Sequence, residues 1–208
     1  MTITAIRPYE KGKNRVAVYL NDEFAFVLYR GELSKYKLKE NMELEDELYD
    51  RILNETLFKR ARLRGMNLLQ KMDRTEQDIR GKLRDGGYPQ PVIDDAVEYL
   101  KSFHYIDDSR YASEFIRFKI GSLSRREIMR KLSEKGIADS IIESCLYEYD
   151  ESDAKGMDTE TELAKKLLLK KCPDPSGLDY EGRMKLFSYL YRKGFAMDTI
   201  EKAYKDLT

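Results

Sequence analysis

The 208-residue chain balances 38 Lys and Arg against 38 Asp and Glu, so although 37% of it is charged, no global field selects a polyanion. Cys145 and Cys172 form neither a CxxC pair nor a disulfide framework, which fits a reducing cytoplasm; the stretch from Met1 to Lys13 is too charged for a signal peptide, and no apolar run approaches a membrane span. With His104 as its one histidine, no tryptophan, and no P-loop, GxGxxG, HExxH or GxSxG pattern, the chain lacks a recognisable catalytic constellation, and neither enzyme activity nor a cofactor is expected.

Residues 1–30 alternate with period two. Val16, Val18 and Leu20 point one way and Ala17 and Tyr19 the other. Asn21-Asp22-Glu23 can turn the chain, and Phe24, Phe26 and Leu28 resume the alternation. Ile3 to Arg7, ended by Pro8, supplies a third short strand. The expectation is a small antiparallel meander. Such a sheet needs a helix to cover it, and residues 45–55, with Leu48, Ile52 and Leu53, are the expected cover. The stretch 43–55 holds six acids against Arg51 alone.

From residue 57 onward the chain writes one spaced pattern three times. The copies are Ile79, Leu83, Gly87, Tyr88, Ile93, Ala96; then Ile128, Leu132, Gly136, Ile137, Ile142, Cys145; then Leu186, Leu190, Gly194, Phe195, Ile200, Ala203, each with offsets of +4, +4, +1, +5 and +3. An apolar pair four apart lies on one helical face. A glycine four residues later sits where the helix should stop, because a left-handed residue closes the last turn and glycine has no Cβ to resist it. The apolar residue after it folds back onto the helix, and the final apolar pair starts a second helix. Asp73 or Thr75, and Ser122 or Ser124, are candidate caps for the first helix of copies one and two, and Ser124 and Glu127 have capping-box spacing. Asp139 or Ser140, and Asp198, are candidates for the second helix, and Pro91 suits its first turn in copy one. An amphipathic segment precedes each pair, at 57–69, 111–120 and 163–169, so the unit is three helices long. Copy three carries an insertion, Cys172-Pro173-Asp174-Pro175-Ser176-Gly177, between its first and second helices.

The predicted fold is therefore mainly α: tandem three-helix repeats forming a curved elongated body, behind a small N-terminal β meander with its helix. The expected divisions are 1–55 for the meander and helix, then repeats at 56–102, 103–149 and 150–208.

The cluster Phe103-His104-Tyr105-Ile106-Asp107-Asp108 joins repeats one and two. Asp107 or Asp108 is expected to cap the next helix rather than to bind a metal with His104, since nothing else completes a ligand set. The tyrosines at repeat joints are read as core or seam.

Charge is blocked along the chain. Residues 57–71 hold Lys59, Arg60, Arg62, Arg64 and Lys71 without an acid; 124–135 hold Arg125, Arg126, Arg130, Lys131 and Lys135; 165–171 hold Lys165, Lys166, Lys170 and Lys171; and 150–162 hold six acids and one lysine. Two readings stay open. The blocks are solvated helical faces, or they are basic stripes that meet phosphate, separated by acidic surfaces that meet protein.

The tandem units, the joint from Phe103 to Ala112 with Ile106-Asp107-Asp108 and Arg110-Tyr111-Ala112, and Ile128-x3-Leu132-x3-Gly136-Ile137 together resemble the RecX family of recombinase regulators over roughly residues 57–207. The meander is similar to the extension of some longer members. Unit three departs from the pattern, with Gly182 where the others have Thr75 and Ser124, and with the insertion. The resemblance implies a cytoplasmic, non-enzymatic regulator of DNA repair and recombination that binds RecA and its filament on single-stranded DNA and restrains it. Repeat modules of this kind are often monomers, so a monomer is expected, without a membrane partner and with weak direct DNA binding allowed. The expected filament contacts are Arg125, Arg126, Arg130 and Lys131, then Arg60, Arg62, Arg64, Lys165 and Lys166; Gly87, Gly136, Gly194, Asp107 and Asp108 are expected to be structural. The rival expectations are a sequence-independent DNA-binding helical repeat protein and a helical protein–protein adaptor.

Overall fold

A computed structural model describes residues 1–10, 14–152 and 156–208. The chain divides into two compact units, Met1–Asp107 and Asp108–Thr208.

The first unit opens with an antiparallel sheet of β1 (Ile3–Pro8), β2 (Arg15–Leu20) and β3 (Glu23–Tyr29), in that spatial order. The β2–β3 turn is two residues long, with φ of 49° at Asn21 and 69° at Asp22 and Leu20 paired to Glu23. Positive φ at both central residues matches the twist of the strands, and Asn and Asp tolerate it. The expected alternation breaks in one place. A bulge between Val18 and Tyr19 pairs them with Phe26 and Phe24, and Phe24 is exposed rather than core-facing. Ala17 and Val27 are buried alongside their neighbours, so parts of both sheet faces are covered.

The covers come from two places. After α1 (Arg30–Lys35), α2 (Asp46–Ile52) runs through a π-helical turn at Leu53–Leu57 into α3 (Phe58–Leu69). Ile52, Leu57 and Ala61 join Val16, Val18, Leu20, Phe26 and Leu28 in one core. That core continues through α4 (Glu76–Arg84) and α5 (Gln90–Ser102), so the sheet and the first three-helix repeat are one packed body. At Gly65 α3 packs tightly against α5: a Cβ there would lie 2.5 Å from Leu100 Cδ1. Gly87 receives the sheet, its carbonyl accepting the Val27 N–H at 3.0 Å.

The second unit holds α6 (Asp108–Lys119), α7 (Arg125–Glu134), α8 (Asp139–Ser152), α9 (Gly156–Lys171), α10 (Tyr180–Arg192) and α11 (Met197–Lys205). Each triplet has its own core. Ala112, Ile116, Ile128, Leu132, Ile137, Ile142 and Cys145 fill one, and Leu163, Ala164, Leu168, Leu186, Leu190, Phe195, Ile200 and Ala203 fill the other.

The three glycine stops share one hydrogen-bond pattern. Gly87, Gly136 and Gly194 have φ of 78°, 79° and 87°. Their N–H groups donate to Arg84, Ser133 and Tyr191, and the next N–H groups, of Tyr88, Ile137 and Phe195, reach back five residues to Leu83, Leu132 and Leu190. This is the Schellman motif in each repeat. A fourth copy was not legible as such: His104, with φ 56°, takes the left-handed place at the end of α5, its N–H donating to Lys101 and that of Tyr105 to Leu100.

The caps resolve the alternatives. Thr75 accepts from the Asp78 N–H and Ser124 from that of Glu127, while the Glu127 carboxylate turns to Arg130. In the third repeat Asp179 accepts from Gly182 N–H, so α10 starts a turn earlier than α4 and α7, which accounts for Gly182 at the place of Thr75 and Ser124. Two expected caps move. Ala196 is the N-cap of α11, with Asp198 inside its first turn, and Asp139 is already the first residue of α8. Helix α6 begins at Asp108, directly after Asp107, and among the described residues no group of three His, Cys, Asp or Glu side chains is placed to hold a metal. The insertion after α9 is pinned where the Tyr204 hydroxyl donates to the Pro175 carbonyl at 2.9 Å. Of the acidic stretch 150–162, residues 153–155 lie outside the described ones.

Candidate protein and nucleic-acid interface

The basic blocks separate into tied and untied cations, and helical geometry decides which is which. On α3 the side chains at 60, 64 and 67 share one face, and 62 faces elsewhere. Arg60 is a clamp between the first repeat and the sheet. Its guanidinium pairs with Glu32, donates to the Val27 carbonyl at 2.6 Å and the Tyr88 hydroxyl at 3.2 Å, and lies 5.0 and 5.3 Å from the Tyr29 and Tyr88 ring centres. Arg62 makes two bonds to Asp95, at 2.8 and 2.6 Å, and covers the Tyr99 ring; Asp95 holds its guanidinium above the usual arginine range. Arg64 is exposed and has no charged partner among the described residues.

The second repeat divides the same way. Arg125 takes Asp150 with both terminal nitrogens, and its own N–H donates to Glu160 at 2.9 Å, so it fastens α7 to α8 and α9. Arg130 lies between Glu127 and Glu134 on the exposed helix surface, and Glu127 first, then Glu134, hold it above its ordinary value. Lys131 sits 3.7 Å from Glu127. Arg126 is exposed and unpaired among the described residues. On α9, Lys165 pairs with Asp206 at 2.7 Å and Glu162 at 2.9 Å, which raise its ammonium above the usual lysine range, whereas Lys166 is exposed and unpaired among the described residues.

Of the nine expected contact residues, Arg64, Arg126 and Lys166 are thus the ones with charge to offer without breaking an ion pair. The tied ones set geometry. The sequence shows this division only where the acid is local, as Glu127 and Glu134 are to Arg130; the acids that bind Arg60, Arg62 and Arg125 are 28, 33 and 25 residues away.

The second and third repeats meet around a cleft of about 390 Å³ lined by Ser124, Glu127, Leu163, Tyr189, Lys193 and Phe195, among others. Ser124 serves both repeats there. Its hydroxyl accepts from Glu127 N–H while donating to the Lys193 carbonyl at 2.7 Å. Gly194 backs onto it so closely that a Cβ would stand 2.7 Å from Ser124 Oγ. Among the described residues no helix is long and apolar enough to cross a membrane.

Comparison with known proteins matches four family models in chain order: the N-terminal domain of regulatory protein RecX at residues 1–45, and the first, second and third RecX three-helix domains at 61–100, 107–146 and 158–204. The regulatory protein RecX of Finegoldia magna is 31% identical, over 91% of this chain and 92% of its own. That of Caldanaerobacter subterraneus subsp. tengcongensis is 30% identical over 98% of both, and that of Clostridium acetobutylicum 29% identical over 99% and 96%. A crystal structure of a regulatory protein RecX is similar to this fold with a TM-score of 0.64, at 27% identity over 96% of this chain and 97% of that one.

Proposed function

Because the chain belongs to the RecX family of regulatory proteins, we propose that it regulates the RecA recombinase by binding the RecA filament on single-stranded DNA and restraining its activity, without chemistry of its own. The observation that carries this reading is the succession of the four RecX domains across the chain. The cytoplasm is the compartment in which such a partner would be met, and the protein acts there as a monomer.

The proposed mechanism is multivalent. Each three-helix repeat offers one exposed cation, unpaired among the described residues, among the candidate contacts: Arg64, Arg126 and Lys166. Each would contact a DNA phosphate or an acidic recombinase surface. One such contact is weak, but once the first is made the others form at high effective concentration, so an array of identical subunits is held better than a free one. Occupying the filament would obstruct the partner duplex or the next subunit.

The test is the combined variant Arg64→Glu, Arg126→Glu, Lys166→Glu, with its helicity checked by circular dichroism. Affinity for the filament should fall at least tenfold and its salt dependence should flatten. Unchanged binding across a salt series rejects these contacts. Equal affinity for free RecA and for the filament favours an adaptor, and DNA binding indifferent to RecA favours a plain DNA-binding protein.

A further inference from the structure

We infer that the exposed face of α3, together with Tyr29 of the sheet, is a binding subsite for single-stranded nucleic acid that stacks a base on Tyr29 and holds the neighbouring phosphates with Arg64 and Lys71. The inference rests on the proposed filament reading for its choice of a nucleic acid, and it gives the N-terminal sheet a part in that function.

The site is an open cleft of about 280 Å³ in the first unit, lined by Tyr29, Arg60, Leu63, Arg64, Asn67, Leu68, Lys71 and Tyr88. Three properties make it more than a solvated helix face. Its lining holds three cations and no carboxylate. Arg60 is neutralised by Glu32, but Arg64 and Lys71 are exposed and unpaired among the described residues, so the surplus charge belongs to them. Both line the one cleft, Arg64 from α3 and Lys71 from the turn just past its end.

The cleft also presents ring and hydrocarbon surface to solvent. Tyr29 is 44% exposed and Leu63 55% exposed, large values for residues beside a packed core. A base offers a π-face that such surface can take, which an acidic peptide side chain does not. Tyr29 is held for this use. It closes β3, its N–H donates to Glu32 at 2.8 Å, and the same Glu32 anchors Arg60 under its ring. Asn67, between the two free cations, adds an amide that can donate to phosphate or accept from a base edge.

The experiment measures fluorescence anisotropy of a labelled oligothymidylate with the full chain and no RecA, as a function of salt, and repeats it with an abasic oligonucleotide of equal length. Arg64→Glu with Lys71→Glu should weaken binding at least tenfold and lower the slope of log K against log salt by about 1.4, that is about 0.7 for each of two phosphates. Tyr29→Leu should weaken binding to the oligothymidylate about tenfold and leave binding to the abasic strand unchanged, while Tyr29→Phe keeps wild-type affinity. Thermal melts of all variants exclude unfolding as the cause. Equal affinity of the wild type for the two strands overturns the stacking role. Loss of RecA binding in the double variant with oligonucleotide binding intact makes the face a protein dock and overturns the proposal. If instead the oligonucleotide effects hold while RecA activity is untouched by the wild type, the subsite stands and the filament reading falls.

Discussion

Replacing Gly87 by alanine asks whether the sheet is locked onto the first repeat through a glycine stop. Two costs coincide there. The left-handed backbone, φ 78°, disfavours any Cβ by about 1–2 kcal/mol. The Cβ would also lie 2.2 Å from Val27 Cγ2 and 2.8 Å from Val27 Cβ, an overlap that the paired strand cannot easily yield to, and overpacking of this kind costs about 1–3 kcal/mol. The sum is about 2–5 kcal/mol. Gly121 has nearly the same φ, 79°, and a Cβ there would meet only an ordinary contact, 3.4 Å from Thr159 Cγ2, so Gly121→Ala isolates the backbone cost of about 1–2 kcal/mol. Urea unfolding followed by far-ultraviolet circular dichroism gives both values, and segment-resolved hydrogen exchange should place the Gly87→Ala loss in β3 and α4. In a Val27→Ala background the added cost of Gly87→Ala should shrink by about 1 kcal/mol, since the nearest clashing carbon is gone. Equal costs for Gly87→Ala and Gly121→Ala, with no coupling to Val27, would refute the lock.

Other perturbations separate the remaining claims. Among variants without the imidazole, His104→Gly should melt above His104→Ala, because relief of the left-handed strain, about 1–2 kcal/mol, exceeds the added unfolded-chain entropy of about 0.4–1 kcal/mol, and equal melting temperatures would reject the left-handed stop. Ser124→Ala should cost about 2 kcal/mol, combining a lost cap with an orphaned Lys193 carbonyl, and a loss below about 0.5 kcal/mol would show that the second and third repeats do not depend on that hydroxyl. Glu76 is pushed up by burial, but hydrogen bonds from Lys101 and Arg80 outweigh this and hold its carboxyl below the usual range. Its folded value is therefore the lower one, so its contribution is complete above the ordinary value of about 4.3 and is lost as pH falls through the folded value. Glu76→Gln should accordingly melt with less pH dependence than the wild type between about pH 5 and pH 3, and parallel curves would reject the pairing.

Much of this architecture was legible because it is local. A glycine four residues after an apolar pair states a helix stop within one turn, and all three stops lie where the spacing put them. The meander and its covering helix were legible from alternation and from Ile52. What could not be read depends on partners distant in sequence. Val27 belongs to the strand's other face and is buried because Gly87, sixty residues on, receives it. His104 hides a glycine's role because Asn, Asp and His can also enter the left-handed region. The block at 57–71 carries no acid of its own, so nothing nearby shows that Glu32 and Asp95 neutralise Arg60 and Arg62 while Arg64 and Lys71 are left unpaired among the described residues. Tyr29 is likewise a strand residue that helical spacing could never have joined to α3.

The most direct test of a filament-directed regulator is single-stranded-DNA-dependent ATP hydrolysis by the cognate RecA, titrated with this protein. The account predicts inhibition well below one molecule per RecA, because a regulator seated on a filament acts on many subunits. Full activity at stoichiometric excess, with no binding to the filament, would contradict it.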